Sequence, residues 1–483
     1  MKQLVQNLHN KRDPATKLRS IFYPQTVALL GASDDPNRVG FNIFSSLTSG
    51  GFKGKIYPVH PRLKTALGYR VYSSLAALPE PVDLAVIALN ERATIAAIKE
   101  CAEQGVPGAV CVAGGYRETS EVGTDLEKEL LETAQRCNVS IVGPNTLGFI
   151  NNENGLNTTF YPMRLPAGSV SFISQSGGMG LDFICRAVDA GLGINKWIGA
   201  GNRTYFEFAD YLAFLGEDAG TNVIGLYLEG TEDAARLVHV AGSLKKPVVA
   251  YKAGRSGEAD FAAITHTGSM AGSHRVYEDL FHQFGIYSVV SMGELVTATK
   301  SLSLAPLPQG RRIGLMTHTA GPSIVAADLL LEQGCTLPSL APQTLTKVQK
   351  LTGPNPPFAL KNPLDVAGMG FMVDIYGQYL ELMATDPNVD VVLAFFCHNA
   401  NPHWPFPSAE LVRVKELSGK PVVACYISSA EHLPAERAIL ERSGIPLYAC
   451  PEEAAQAVLA LIWAAGRFAN LEKGKTAKEE TSR

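Results

Sequence analysis

From about residue 24 onward, short runs of β-branched and other apolar residues alternate with longer segments whose apolar positions recur at helical spacing. TVALLGAS, GKIYPVHP, DLAVIALN, GAVCVAGG and VSIVGPN have the length and composition of strands. Between them lie segments such as ERATIAAIKECAEQG, which read as helices. This alternation predicts a doubly wound parallel sheet with right-handed crossovers.

The pattern restarts twice. GSVSFISQSGG, NKWIGAGN, NVIGLYLEG and KPVVAYKAG read as four further strands with helices between them. SLAPLPQGRR reads as a linker near residues 303–312. RIGLMTHTAG, VDVVLAFFCHN, KPVVACYIS and IPLYACP then build a third unit. The echo between KPVVAYKAG and KPVVACYIS points to two flavodoxin-like units on one plan. A last helix runs through EEAAQAVLALIWAAGRF, and the polar tail EKGKTAKEETSR is expected to be disordered. The expected fold class is therefore α/β. A Rossmann-like domain covers 1–165, two flavodoxin-like α/β domains cover 166–306 and 307–470, and the tail covers 471–483.

Composition fits this picture. With 46% hydrophobic and 18% charged positions, the 483 residues supply two or three cores and exclude disorder for most of the chain. A net charge of −4 argues against coating nucleic acid, which needs an excess of Lys and Arg. No apolar run reaches about 18 residues, so no membrane span is expected. MKQLVQNLHNKRDPATKLRS has no apolar core of a secretory signal. The eight cysteines form no CxxC pair, and Cys111 and Cys425 sit inside strand-like runs. They read as buried free thiols in a reducing cytosol, so a cytoplasmic location is expected. The ten histidines show no metal-ligand spacing, and no metal site is expected.

Four motifs bear on chemistry. In TVALLGASDDPNRVG a strand ends at Leu30, a turn carries Gly31, Ala32 and Ser33, and a helix starts near Gly40. Small residues there let backbone N–H groups approach a pyrophosphate, so the turn reads as a nucleotide-type site or an empty structural turn. The second strand ends in Val59-His60-Pro61, without the carboxylate that holds a ribose diol in NAD enzymes, which favours another adenine-containing ligand. FISQSGGMG places Ser174, Gln175 and Ser176 before Gly177 and Gly178, which open a helix. This is an anion cradle, a plain N-cap, or a nucleophile elbow on Ser176, although the elbow wants Gly at position 174. His266 lies in a loop of small residues, THTGS, which leaves the ring uncrowded for nucleophilic attack and phosphoryl carriage, or structural. Glu229, in LYLEG, ends a strand at the edge where ligands of open α/β sheets gather. It either orients an imidazole or is an ordinary solvent-facing charge.

In this order and at these spacings, VALLGASDDPNRVG, IVGPNTLGFIN, VSFISQSGGMG, LYLEG, KAGRS…THTGSMAGS and NPLDVAG are specific. The chain resembles the α-type subunit of the nucleoside-diphosphate-forming acyl-CoA synthetases, the ADP-forming acetate–CoA ligases related to succinyl-CoA synthetase, from about residue 20 to about 465. The resemblance implies that the first domain binds CoA. Gly31, Ala32, Ser33, Arg38, Val39 and Gly40 match its CoA-binding segment, and Pro58, Ile87 and Ala88 match the lining of the adenosine end. Gly143, Pro144 and Asn145 match the loop near the thioester-forming site and Ser174 to Gly178 the phosphate-holding helix N-terminus. His266 matches the phosphorylated histidine, and Glu229 its carboxylate partner.

The activity so implied is that of an acid–thiol ligase. ATP phosphorylates His266, the phosphoryl group passes to a carboxylic acid, and the CoA thiol attacks the acyl phosphate, all reversibly. The alternative is a regulatory protein of the same fold that binds CoA or acyl-CoA without turnover. No Gly-rich, Lys/Glu-bearing stretch after residue 300 reads as the family's ATP-grasp domain. ATP or ADP with Mg²⁺ is therefore expected mainly on a separate β-type subunit, in a hetero-oligomer. Two departures stand out. Thr146 follows Asn145 where the family often has Cys, and the third domain's Thr-Asn-x-Gly-Gly-Pro appears as Thr317-His318-Thr319-Ala320-Gly321-Pro322.

Overall fold

The computed structural model describes residues 13–256 and 274–481, apart from positions 356, 400 and 402, with side chains described as far as residue 472. The call on His266 lies outside the described residues. The chain divides into two compact units, Met1–Met292 and Gly293–Arg483.

The first unit holds two sheets. After helix α1 (Pro14–Phe22) come β1 (Thr26–Leu30), helix α2 (Val39–Ser49) and β2 (Lys55–Val59). A small hairpin, β3 (Thr65–Ala66) and β4 (Tyr69–Arg70), leads to β5 (Leu84–Ile87), helix α3 (Glu91–Glu103), β6 (Gly108–Cys111), helix α4 (Glu121–Cys137) and β7 (Ser140–Val142). The principal strands lie in the order β2-β1-β5-β6-β7, all parallel. The helices start where the sequence supplies caps: Asn90 accepts the Ala93 N–H and Ser120 the Gly123 N–H. Alternation along β1 sends Val27 and Leu29 into one core and Ala28 and Leu30 into another.

The second sheet follows with β8 (Phe149–Asn151), β9 (Leu156–Asn157), β10 (Ala167–Ser174), helix α5 (Gly177–Asp189) and β11 (Ile194–Gly199). Helix α6 (Phe208–Glu217), β12 (Val223–Leu228), helix α7 (Ala234–Ser243), β13 (Val248–Lys252), helix α8 (His274–Phe284) and β14 (Tyr287–Ser288) complete it. The order is β14-β13-β12-β10-β11-β8-β9, with β8 antiparallel to β11. The hairpin β8–β9 thus belongs to this sheet, although its residues precede the expected boundary at 165. The core holding Val27 and Leu29 continues without a break through Ile173, Ile198, Phe208 and Leu226. The two sheets therefore share apolar burial instead of standing apart on a linker.

The second unit runs α9 (Met292–Leu304), β15 (Ile313–Thr317), α10 (Ala320–Glu332), α11 (Pro342–Thr352), β16 (Leu364–Asp365) and α12 (Val373–Thr385). Then come β17 (Val391–Cys397), α13 (Ser408–Ser418), β18 (Val422–Ile427), α14 (Leu433–Arg442), β19 (Leu447–Tyr448) and α15 (Pro451–Thr481). Its sheet is β16-β15-β17-β18-β19, all parallel. Counting principal strands from β1, from β10 and from β15, all three sheets run 2-1-3-4-5, the flavodoxin order. It is also the Rossmann order with the outermost strand left off.

Three details differ from the sequence reading. Helix α9 reaches Leu304, so the irregular connection is shorter than the expected 303–312 linker. The stretch Pro451–Glu472 of α15 is long and apolar enough to cross a membrane by length and composition, contrary to expectation. Half of it is buried, with Ala454, Val458 and Leu461 in the core against β15, β17 and β18. The helix then continues through Thr481, where a disordered tail was expected. That stretch is rich in Glu and Lys, which are good helix formers.

Candidate functional site

The turn after β1 is held by its neighbours. Gly31 and Ala32 both donate their N–H to the Val59 carbonyl, at 3.1 and 3.2 Å. Gly31 has φ +90°, and a Cβ there would meet the Ala88 carbonyl oxygen at 2.5 Å. Ser33 Oγ accepts the Asp35 N–H at 3.1 Å. Pro58 is buried on β2 opposite Leu29, Ile87 is fully buried, and Ala88 donates its N–H to Leu30 at 2.9 Å. Helix α2 opens here with Arg38 as its N-cap, and no side chain caps it. The first-turn N–H groups lack an acidic neighbour, Val39 is exposed, and the Arg38 side chain is 76% exposed beside Asp35. A glycine-tight turn, an uncapped helix N-terminus and a reachable guanidinium suit a pyrophosphate. The second strand's end lacks a carboxylate, and His60 Nδ1 instead accepts the N–H of Arg62 and Leu63 at 3.2 and 3.1 Å.

The Ser174–Gly178 segment joins β10 to α5, as the motif predicts. Its two hydroxyls, however, face inward to the backbone. Ser174 Oγ donates to the Ser176 carbonyl at 2.6 Å, and Ser176 Oγ caps α5 by accepting the Met179 N–H at 3.4 Å. Among the described residues no histidine bonds Ser176, so the elbow reading gains nothing. What faces outward is backbone: a Cβ on Gly178 would touch nothing within 4 Å. Gln175 is buried, and its Oε1 accepts the N–H of Glu229 at 2.8 Å and of Gly230 at 3.3 Å. That single amide fixes the end of β12 against the cradle. Glu229 is 8% exposed and Tyr227 Oη donates to its Oε1 at 3.3 Å, so it is no ordinary solvent-facing charge. Burial, and then the charge of Glu229, push the Tyr227 hydroxyl well above the usual phenol range.

The loop Gly143–Pro144–Asn145 ends β7, with Gly143 at φ +93° and Asn145 at φ +55°. It is clamped from the second sheet by the turn that follows β11. Asn202 donates its N–H to the Pro144 carbonyl at 2.9 Å, and Asn145 Nδ2 donates to Asn202 Oδ1 at 3.2 Å. Gly201 sits so close that a Cβ would lie 2.3 Å from the Pro144 oxygen. Thr146 is buried, its hydroxyl donating to the Gly199 carbonyl at 2.5 Å and accepting the Gly148 N–H at 2.9 Å. A thiol there would make weaker bonds, so Thr146 acts first as a clamp between the sheets.

Six polar residues that the motifs did not single out complete this edge. Asn202 Nδ2 donates to Glu118 at 2.7 Å and to Glu127 at 2.9 Å. Arg117 donates to the Asn202 carbonyl and pairs with Glu232 at 2.7 Å. Burial would raise the Glu118 carboxyl, but Asn202 and the N–H groups of Gly115 and Tyr116 hold it below the usual range. Arg203, also buried, donates to the Gly230 carbonyl at 3.3 Å. Their sequence signal was thin: GGYRE after β6 and GNR after β11 read as polar loops, marked only by their place at strand ends.

In the second unit, His318 is 3% exposed. Its Nε2 accepts the Cys397 N–H at 2.9 Å, and its ring packs on Phe371 and Phe396, with centroids at 4.5 and 4.6 Å. The imidazole thus ties β15 to β17 from inside. Ala320 is the first helical residue of α10, and Gly321 is open. Among the described residues no three His, Cys, Asp or Glu side chains gather as a metal site. All eight cysteines are free thiols; four are buried and Cys185 is exposed.

The CoA binding domain family model matches residues 25–152, and the succinyl-CoA ligase like flavodoxin domain model matches 167–302. The chain is 36% identical, over 91% of its length and 96% of the relative's, to the acetate–CoA ligase (ADP-forming) II subunit alpha of Pyrococcus furiosus. It is 33% identical to acetate–CoA ligase (ADP-forming) I of Archaeoglobus fulgidus over 96% of its own length, but spans only 65% of that longer protein. The solved structure of the dinucleotide forming acetyl-coenzyme A synthetase 1 of Candidatus Korarchaeum cryptofilum, in complex with phosphate and ADP, matches with a TM-score of 0.85. That match has 33% identity and covers 94% of this chain and 98% of the other. The chain belongs to the family of ADP-forming acetate–CoA ligase α subunits.

Proposed function

We propose that the chain is the acyl-transferring subunit of a reversible acid–thiol ligase that joins a small carboxylic acid to CoA. Overall, acid, CoA and ATP become acyl-CoA, ADP and phosphate. The observation that carries this reading is the Gln175 amide. It joins the anion cradle to the Glu229–Gly230 strand end, so that a phosphate at Gly177–Gly178 and a carboxylate share one edge. The clamped Gly143–Asn145 loop borders that edge through Leu147, whose side chain lies 3.0 Å from a Cβ built on Gly177.

In the direction of acyl-CoA breakdown, phosphate oxygen attacks the thioester carbonyl and the CoA thiolate leaves, giving an acyl phosphate. His266 nitrogen then attacks phosphorus, the acyl carboxylate leaves, and the phosphoryl group rests on the imidazole. Glu229 accepts the imidazole's other N–H and stabilises the cationic ring as the bond forms. Backbone N–H groups of Gly177 and Gly178 and the α5 dipole bind the phosphoryl oxygens. Arg38, the Gly31–Ser33 turn and the α2 N-terminus hold the CoA pyrophosphate, with Pro58, Ile87 and Ala88 beneath the adenosine.

ATP or ADP with Mg²⁺ belongs on a partner with an ATP-grasp fold, in a hetero-oligomer. The relatives support this: one is named a subunit, and about a third of another lies beyond the part this chain matches. The free thiols fit a cytoplasmic, reducing compartment. The reading is tested by following CoA release from acetyl-CoA with a thiol reagent. Release of about one CoA per chain is expected only when phosphate is present. Release without phosphate, or none with any short acyl-CoA, contradicts it.

A further inference from the structure

The Asn202 side chain is an amide whose polarity is dictated from behind. Two carboxylates, Glu118 Oε2 and Glu127 Oε2, lie 2.7 and 2.9 Å from its nitrogen. Carboxylates accept, so the NH₂ group must face them and Oδ1 must face the other way. That oxygen takes the Asn145 NH₂ at 3.2 Å, which turns the Asn145 amide in the same sense and leaves its Oδ1 as an acceptor. Asn202 is 7% exposed, whereas Asn145 is an exposed loop residue. Asn145 Oδ1 lies over Gly114, where a Cβ would come within 3.2 Å. The polarity is therefore set in the interior and delivered to the surface through two amides.

We infer that Asn202 is a positioning residue for the pantetheine arm of CoA, holding Asn145 so that its Oδ1 accepts a hydrogen bond from an arm N–H or from the thiol. This rests on the reading of the chain as a CoA ligase. The Gly31–Ser33 turn ends β1 and the Asn145 loop ends β7, three strands apart along the same edge, or about 14 Å at the usual strand spacing. A ligand whose pyrophosphate sits at the first and whose reactive end sits at the second must cross that edge in an extended form. The arm offers donors along its length, a hydroxyl, two amide N–H groups and the terminal thiol. A carbonyl oxygen of fixed orientation selects such a donor, whereas an amide free to flip does not.

Titration calorimetry of the full chain with CoA and with its nucleotide fragment, 3′-phosphoadenosine 5′-diphosphate, separates the arm from the rest. For Asn202→Ala the expected result is about tenfold weaker CoA binding, with the fragment within about twofold of wild type. Asn145→Gly suits the positive φ, leaves the interior intact, and is expected to show the same selective loss. Asn202→Asp places a third carboxylate beside two others. It should behave like the alanine variant at about pH 8 and recover affinity for CoA near about pH 5.5, where the added carboxyl is protonated and donates again. Equal losses on both ligands, no loss on CoA in Asn145→Gly, or an Asn202→Asp variant insensitive to pH would overturn the inference. Failure of the wild-type chain to bind CoA at all would instead remove the reading on which it rests.

Discussion

A Cβ built on Gly40 would lie 1.9 Å from the carbonyl oxygen of Gly31. The first turn of α2 and the turn after β1 are therefore packed backbone to backbone, with no room for a methyl group. In an open helix Gly→Ala gains about 1 kcal/mol. Here Gly40→Ala is expected to cost about 2–4 kcal/mol by forcing the two turns apart. CoA affinity should fall by about tenfold or more if, as proposed, the displaced turn meets the pyrophosphate. Thermal melting and calorimetric titration with CoA check both effects.

Away from the site, Lys196 is fully buried and pairs with Asp218 at 2.8 Å and with Glu153 at 3.4 Å. Burial works against the Asp218 carboxylate, but Lys196, Thr221 and Tyr23 outweigh it and hold it below its ordinary range. Asp218→Asn leaves Lys196 with a weakened partner inside the protein. The expected loss is about 3–5 kcal/mol of stability, read as a lower urea midpoint with an unchanged slope.

His318 makes the second unit sensitive to mild acid. Burial pushes its imidazole below the usual value, with Asp365 opposing. The unfolded chain therefore takes up the proton first. Stability is complete above about pH 6.5 and is lost as pH falls toward the folded value. Hydrogen exchange of the β15 and β17 amides should lose protection over that window in the wild type. In His318→Asn, which does not titrate, the pH dependence should disappear.

Glu229→Gln keeps the size and the buried hydrogen-bonding capacity of the side chain while removing its charge. If the carboxylate stabilises the cationic imidazole of His266, phosphorylation by phosphate and acyl-CoA should slow by about a hundredfold. CoA affinity should stay within about twofold, because Glu229 follows a strand of the second sheet and lies away from the turn proposed to hold CoA. Rapid-quench measurement of phosphoenzyme formation distinguishes the two quantities.

The strands that build the three sheets were legible because each is a short, β-branched run bounded by turns. TVALL and VVLAFFC owe nothing to distant context. The glycine turns and the Gln175 region were legible for a similar reason, since their chemistry is local. The hairpin β8–β9 was not, because FIN and LN are too short to show a period and are strands only through Trp197 and its neighbours. The Asn202 network was hidden for a different reason. Arg117, Glu118, Glu127 and Asn202 look like solvated loop and helix residues until the fold brings segments some 80 positions apart together. The serine hydroxyls of the cradle misled in the opposite sense: their residue type suits an anion, but only coordinates show that Ser174 Oγ bonds the Ser176 carbonyl. The last helix ran past its apolar stretch because a polar sequence rich in good helix formers can still be helical.

The central claim is that His266 carries a phosphoryl group drawn from phosphate and acyl-CoA. It is tested most directly by incubating this chain alone with radiolabelled phosphate, Mg²⁺ and a set of short acyl-CoAs, then mapping the label. The account predicts acid-labile, alkali-stable label on the peptide containing His266 with at least one acyl-CoA, and none in His266→Ala. Label that persists in His266→Ala, or its absence with every acyl-CoA even after the ATP-grasp partner is added, would contradict it.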